Sequence, residues 1–139
     1  MNLANASTGL SGNLARLAGA TLGIPLRSDD QDLLKAIKTL DQQEAYENGI
    51  QALRSGDTGQ AIMCFEQLAN DGPQITAFNL LAAQSLLLHM KKQGWDVGFI
   101  VRARRYLDKL KYAGYEGDNL IKLEKIYALL EKENFEENI

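Results

Sequence analysis

The chain has 139 residues, enough for one domain, and its 45% hydrophobic and 24% charged content is that of an ordinary globular protein. A net charge of −3 argues against a general nucleic-acid binder, which needs a cationic excess to neutralise phosphate. A lone cysteine, Cys64, cannot close an internal disulfide, so a reducing cytoplasm is the expected compartment; no apolar run approaches the roughly 20 residues of a membrane helix.

Residues 1–30 are rich in Gly, Ala, Asn, Ser and Thr. Leu10, Leu14, Leu17 and Leu22 align as one helical stripe, while Gly12, Gly19 and Gly23 oppose a helix. This segment reads either as a linker or as a short helix docked on the rest of the chain. The expected folded unit is 31–133. Ser28 or Asp29 is placed to cap a helix whose stripe is Leu33, Leu34, Ile37 and Leu40. That helix either breaks near Leu40 or runs into the next, 41–55, which packs through Ala45, Gly49, Ile50, Ala52 and Leu53. Ser55-Gly56-Asp57 makes a turn, and a second helix runs from Thr58 to Ala69 with Ala61, Ile62, Phe65 and Leu68 facing in. Asn70-Asp71-Gly72-Pro73 is a dense helix stop.

From Gln74 a third helix begins, with Phe78, Leu81, Ala82, Ser85, Leu86 and Met90 on one stripe. Gln93-Gly94-Trp95-Asp96 forms the tip before a helix from Val97 to Tyr112, which faces in through Ala103, Leu107 and Leu110. Ala113 to Asn119 is the next break, where Asp118 is placed to cap a last helix, 119–133. Its apolar face is Leu120, Leu123, Ile126, Tyr127 and Leu130. Residues 134–139 read as an acidic tail that frays.

Gly49, Gly56, Ala61, Phe65 and Pro73 stand at the spacing G-x6-G-x4-A-x3-F-x7-P. Gly49 lets a second helix lie close, and Ala61 packs back over it. Phe65 plugs the gap between the two helices. Gly56 ends the first helix in the left-handed conformation, and Pro73 presets the next start. This pattern resembles the second half of a tetratricopeptide repeat. Ala83 stands 34 residues after Gly49, the period of that family, and Ala103 and Leu107 match Ala61 and Phe65. The pattern departs from the family at Ala45 and Ala52, where it often has tryptophan and tyrosine, and at Ala83 in place of the glycine. Ala103 also follows Ala83 by eight residues more than Ala61 follows Gly49, so the second hairpin should overhang the first.

The resemblance implies an all-α fold. Antiparallel hairpins would stack as a short right-handed array closed by a C-terminal capping helix. The run FNLLAAQSLLLHMKKQGWDVGFIVRARRYLDKLK further resembles the helical output part of certain bacterial response regulators. It implies an output domain of a two-component signalling protein, although the chain carries no receiver pattern of its own.

Such arrays build surfaces rather than active sites, so the expected function is non-enzymatic protein binding, with a protein or peptide ligand and a possible homodimer. The resemblance places Gln43, Tyr46, Ile50, Leu53 and Arg54, with Ala77, Leu80, Gln84, Leu87 and Leu88, along a concave groove. The alternative is a nucleic-acid binder. Lys91, Lys92, Arg102, Arg104, Arg105, Lys109 and Lys111 face only two acids in 90–112, and Trp95, Tyr106 and Tyr112 stand near for stacking. The bland reading of that run is a solvated face, or a pairing with the acidic C-terminal tail. His89 and Cys64 are single and read as packing or surface residues; Glu133, Glu136 and Glu137 read as a charged end. No metal, cofactor or catalytic set is expected.

Overall fold

Each turn in the sequence carries the chemistry that stops one helix and starts another. The computed structural model describes residues 37–137, which form five helices. They are α1 (Leu40–Ser55), α2 (Thr58–Asp71), α3 (Thr76–Gln93), α4 (Val97–Tyr112) and α5 (Asp118–Glu137). No strand occurs among the described residues. The leucine stripe of residues 10–22, the linker or docking segment 1–30 and the cap at Ser28 or Asp29 lie outside them.

Thr39 caps α1, its hydroxyl oxygen accepting from the Gln42 N–H at 3.1 Å. A side-chain acceptor at this position satisfies one of the amides that a helix start leaves without a partner. The break near Leu40 is therefore real, and α1 does not continue the preceding stripe. Gly56 closes α1 at φ 80°, and the Asp57 N–H reaches back to the Ala52 carbonyl at 2.8 Å. This six-to-one bond needs a left-handed residue, which glycine supplies without strain. Asp57 then caps α2 and Asp96 caps α4, each carboxylate accepting an amide at 3.0 Å. α3 has no such side-chain cap at Ile75. Instead the Asn79 amide donates to the Pro73 and Ile75 carbonyls at 3.0 and 3.2 Å, tying the turn to the first turn of the helix.

Several boundaries differ from the sequence expectations, among them the end of α2, which runs through Asn70 to Asp71. Pro73 lies outside α3, whose first residue is Thr76, so it shapes the turn rather than the first helical position. Asp118 is the first residue of α5, not its cap. α5 also runs through Asn134 to Glu137, the expected tail, because Glu is a good helix former and no Gly or Pro interrupts the run.

Short connections make consecutive helices antiparallel neighbours. α1 packs on α2, α2 on α3 and α3 on α4, while α5 lies against both α3 and α4. α3 is thus the central rod, with three helices around it. Every residue from Ala77 to Leu88 is buried. The Gly49–Phe65 contact fixes the first hairpin. A Cβ built on Gly49 would sit 2.5 Å from the Phe65 ring, which is itself buried with Ala61. The eight extra residues of the second hairpin fall as four more on α3, one in the turn and three on α4.

Candidate functional site

The concave groove expected from the sequence is not open. Tyr46, Ile50, Ala77, Leu80, Gln84, Leu87 and Leu88 are all buried; Gln43 and Leu53 are half-buried, and only Arg54 is exposed. The physical reason lies in α3. From Gln74 to Met90 the chain has no Asp, Glu, Lys or Arg, so this helix has no solvated face to turn outward. A helix apolar all round belongs in the interior, and the family-based placement on a surface fails for it. The Gln84 amide nitrogen is buried with no hydrogen-bond partner, a local cost rather than a recognition element.

The basic run of 90–112 is divided among several sides of the fold. Arg102 forks onto Glu66 across α2 and α4, with Nε 3.1 Å from Oε2, and the Tyr106 hydroxyl donates to the same carboxylate oxygen at 2.8 Å. Arg104 donates to Asp108 at 3.0 Å and grips Glu124 of α5 with both terminal nitrogens. Lys111 reaches Glu124 as well, at 3.0 Å. Lys109 lies 5.6 Å from the Tyr106 ring centroid. The Arg102 and Arg104 guanidinium groups also cover the Phe99 and Tyr127 rings, at 5.0 and 4.8 Å. These cations hold helices together through bidentate, charge-assisted bonds. Arg105, Lys91 and Lys92 stay exposed, the lysines at the end of α3. Of the three aromatics expected to stack on bases, Tyr106 is buried, Trp95 is half-buried, and Tyr112 is exposed.

The electrostatics follow these contacts. The Arg104 hydrogen bond, opposed in part by burial and helped by Lys111, holds the Glu124 carboxyl below its usual range. Burial first, and the Glu66 carboxylate second, push the Tyr106 phenol up. Burial also raises the Cys64 thiol, which keeps it a poor nucleophile. His89 ties α3 to α2 and α4. Its Nδ1 lies 2.7 Å from the Thr58 hydroxyl, and its ring meets Phe99 edge-on at 5.0 Å. No group of three or more His, Cys, Asp or Glu residues is set to hold a metal among the described residues. No helix among them is long and apolar enough to cross a membrane.

Among the concave features that open to solvent, one has an apolar wall. A cleft of about 530 Å³ lies between the C-terminal end of α3 and the later half of α5. Met90, Trp95, Ile126, Leu129 and Leu130 supply its apolar wall; Lys91, Lys92, Glu133 and Asn134 supply polar groups. Trp95 packs partly on the core, and its indole N–H is buried without an acceptor. Leu129 is 57% exposed where the cleft meets the outer face of α5. Ile121 and Phe135 are exposed on the same helix. Sequence reasoning names Trp95, Ile126 and Leu130 but passes over Leu129 and Ile121. The signal was available: both are large apolar residues outside the core stripe of an otherwise charged helix.

No family model matches the chain, and neither does any curated protein or solved structure.

Proposed function

We propose that this chain is a non-enzymatic protein-interaction module of tetratricopeptide type, and that it takes its partner at the α3–α5 cleft. The observation that carries this reading is the exposed Leu129 beside an apolar-walled cleft on the last helix of the array. In stacked-hairpin proteins a terminal helix that closes the array presents a polar outer face. Here that face keeps three large apolar side chains, and such patches mark interaction sites. The spacing of Gly49, Gly56, Ala61 and Phe65 supports the repeat assignment, with Gly49 and Phe65 in direct register. The run from Phe78 to Lys111 supports a place as the output region of a bacterial two-component signalling protein. A receiver encoded ahead of this segment in the same reading frame would support that role.

Nucleic-acid binding is the weaker reading, because Arg102, Arg104 and Lys111 are committed to Glu66 and Glu124.

The test is position-specific photocrosslinking in the native cell. A benzophenone side chain at position 129 is expected to give a covalent adduct with one protein. The same group at the exposed Met63 position on α2 is expected to give none. Equal adducts at the two positions, or none at 129, would remove the cleft from consideration.

A further inference from the structure

We infer that the occupant of the α3–α5 cleft is an amphipathic helix of a partner protein whose apolar stripe is flanked by acidic residues. This inference rests on the interaction-module reading above and specifies its partner.

Three observations lead to it. α1 pairs with α2 and α3 with α4, but α5 has no hairpin mate among the described residues; it meets only α3 and α4. Its exposed apolar groups, of which Leu129 lines the cleft, run from Ile121 through Leu129 to Phe135. That is about 21 Å along a helix, the length over which one helix lays its ridges on another. A helix from outside would fill the place that a sixth helix of the array would take.

The charge around the cleft sets the sign of the partner. Lys91 and Lys92 at the end of α3 line the cleft and are exposed, and neither enters an ion pair among the described residues. Glu133 is the acidic group among the cleft-lining residues. Acidic side chains beside the partner's apolar stripe would meet these lysines, whereas basic ones would be repelled. Lys91 and Lys92 also offset the partial negative charge at the end of α3, so charge reversal there needs a fold control.

The experiment uses the full chain and two fluorescein-labelled synthetic 18-residue peptides, read by fluorescence anisotropy. Both carry leucines at helical spacing. One flanks them with glutamates, and the other has lysines at the same positions. The glutamate peptide is expected to bind at least tenfold tighter than the lysine peptide. The double variant K91E/K92E should reverse that order. Leu129→Glu should weaken both peptides at least tenfold, with circular dichroism unchanged in every variant. Equal affinity for the two peptides, no reversal by K91E/K92E, or no binding of either would overturn the inference. If the peptides fail while position 129 still crosslinks, the module reading survives and the acidic helix does not. If sedimentation shows a dimer that Leu129→Glu splits, the occupant is a second copy of the chain, and the acidic-helix inference is equally overturned.

Discussion

α3 and α5 are leucine-rich helices of 18 and 20 residues, yet one is the axis of the fold and the other half surface. The difference is charge, not apolar content. α3 carries no charged residue until Lys91, whereas Lys122, Glu124, Lys125, Glu131, Lys132 and Glu133 are spread along α5. Desolvating such groups is costly, so α5 must keep a wet side, and α3 has no reason to. Leu129 and Ile121 sit on that wet side without structural need, which is why they suggest function while Leu80 and Leu87 do not.

The largest effect should come from breaking the interior helix. Leu87→Glu is expected to abolish the cooperative unfolding transition, because it places a charge where the native residue is fully buried. Leu87→Ala should cost about 2–5 kcal/mol in urea denaturation. The hairpin contact comes next. Gly49→Val would drive side-chain atoms into the Phe65 ring, and is expected to destabilise by about 1–3 kcal/mol, partly relieved by Phe65→Leu.

The Glu66 node is smaller. Glu66→Ala leaves the Tyr106 hydroxyl and Arg102 without their shared acceptor, and should cost about 1 kcal/mol, since Arg102 is 35% exposed and can turn to water. Glu124 adds a pH dependence. Its folded value is lowered, so the stability it contributes is fully present above its ordinary value of 4.5 and is lost as pH falls through the folded value. The acid limb of the stability curve should therefore flatten below pH 4.5 in Glu124→Gln, measured by thermal unfolding against wild type. The smallest stability effect belongs to Leu129→Glu, expected within about 0.5 kcal/mol of wild type despite its loss of partner binding.

Local chemistry was legible in the sequence; tertiary exposure was not. The turn at Gly56 and the Gly49–Phe65 contact arise from residues within one hairpin, and the caps at Asp57 and Asp96 are as local, although the sequence reading takes these two only as turn residues. The span of α4 is equally local, because Asp96 and the break after Tyr112 fix both its ends. The fate of the basic run depends instead on distant carboxylates. Glu66 is 36 residues from Arg102, and Glu124 is 20 from Arg104. No spacing rule gives those pairings. The groove was misplaced because the repeat pattern assigns faces by family precedent, whereas the uncharged stretch through α3 overrides that assignment. The cleft was invisible because Met90 and Trp95 meet Leu130 only after three helices have packed.

The contrast between the interior rod and the open last helix can be tested with two cysteines in a Cys64→Ala background. Gln84→Cys places a thiol on the expected groove, where the native residue is 5% exposed; Leu129→Cys places one where it is 57% exposed. Under native conditions, maleimide is expected to label position 129 at the rate of a free thiol and position 84 at least a hundredfold slower. Comparable rates at the two positions would mean that the groove is open after all, and would contradict the account at its centre.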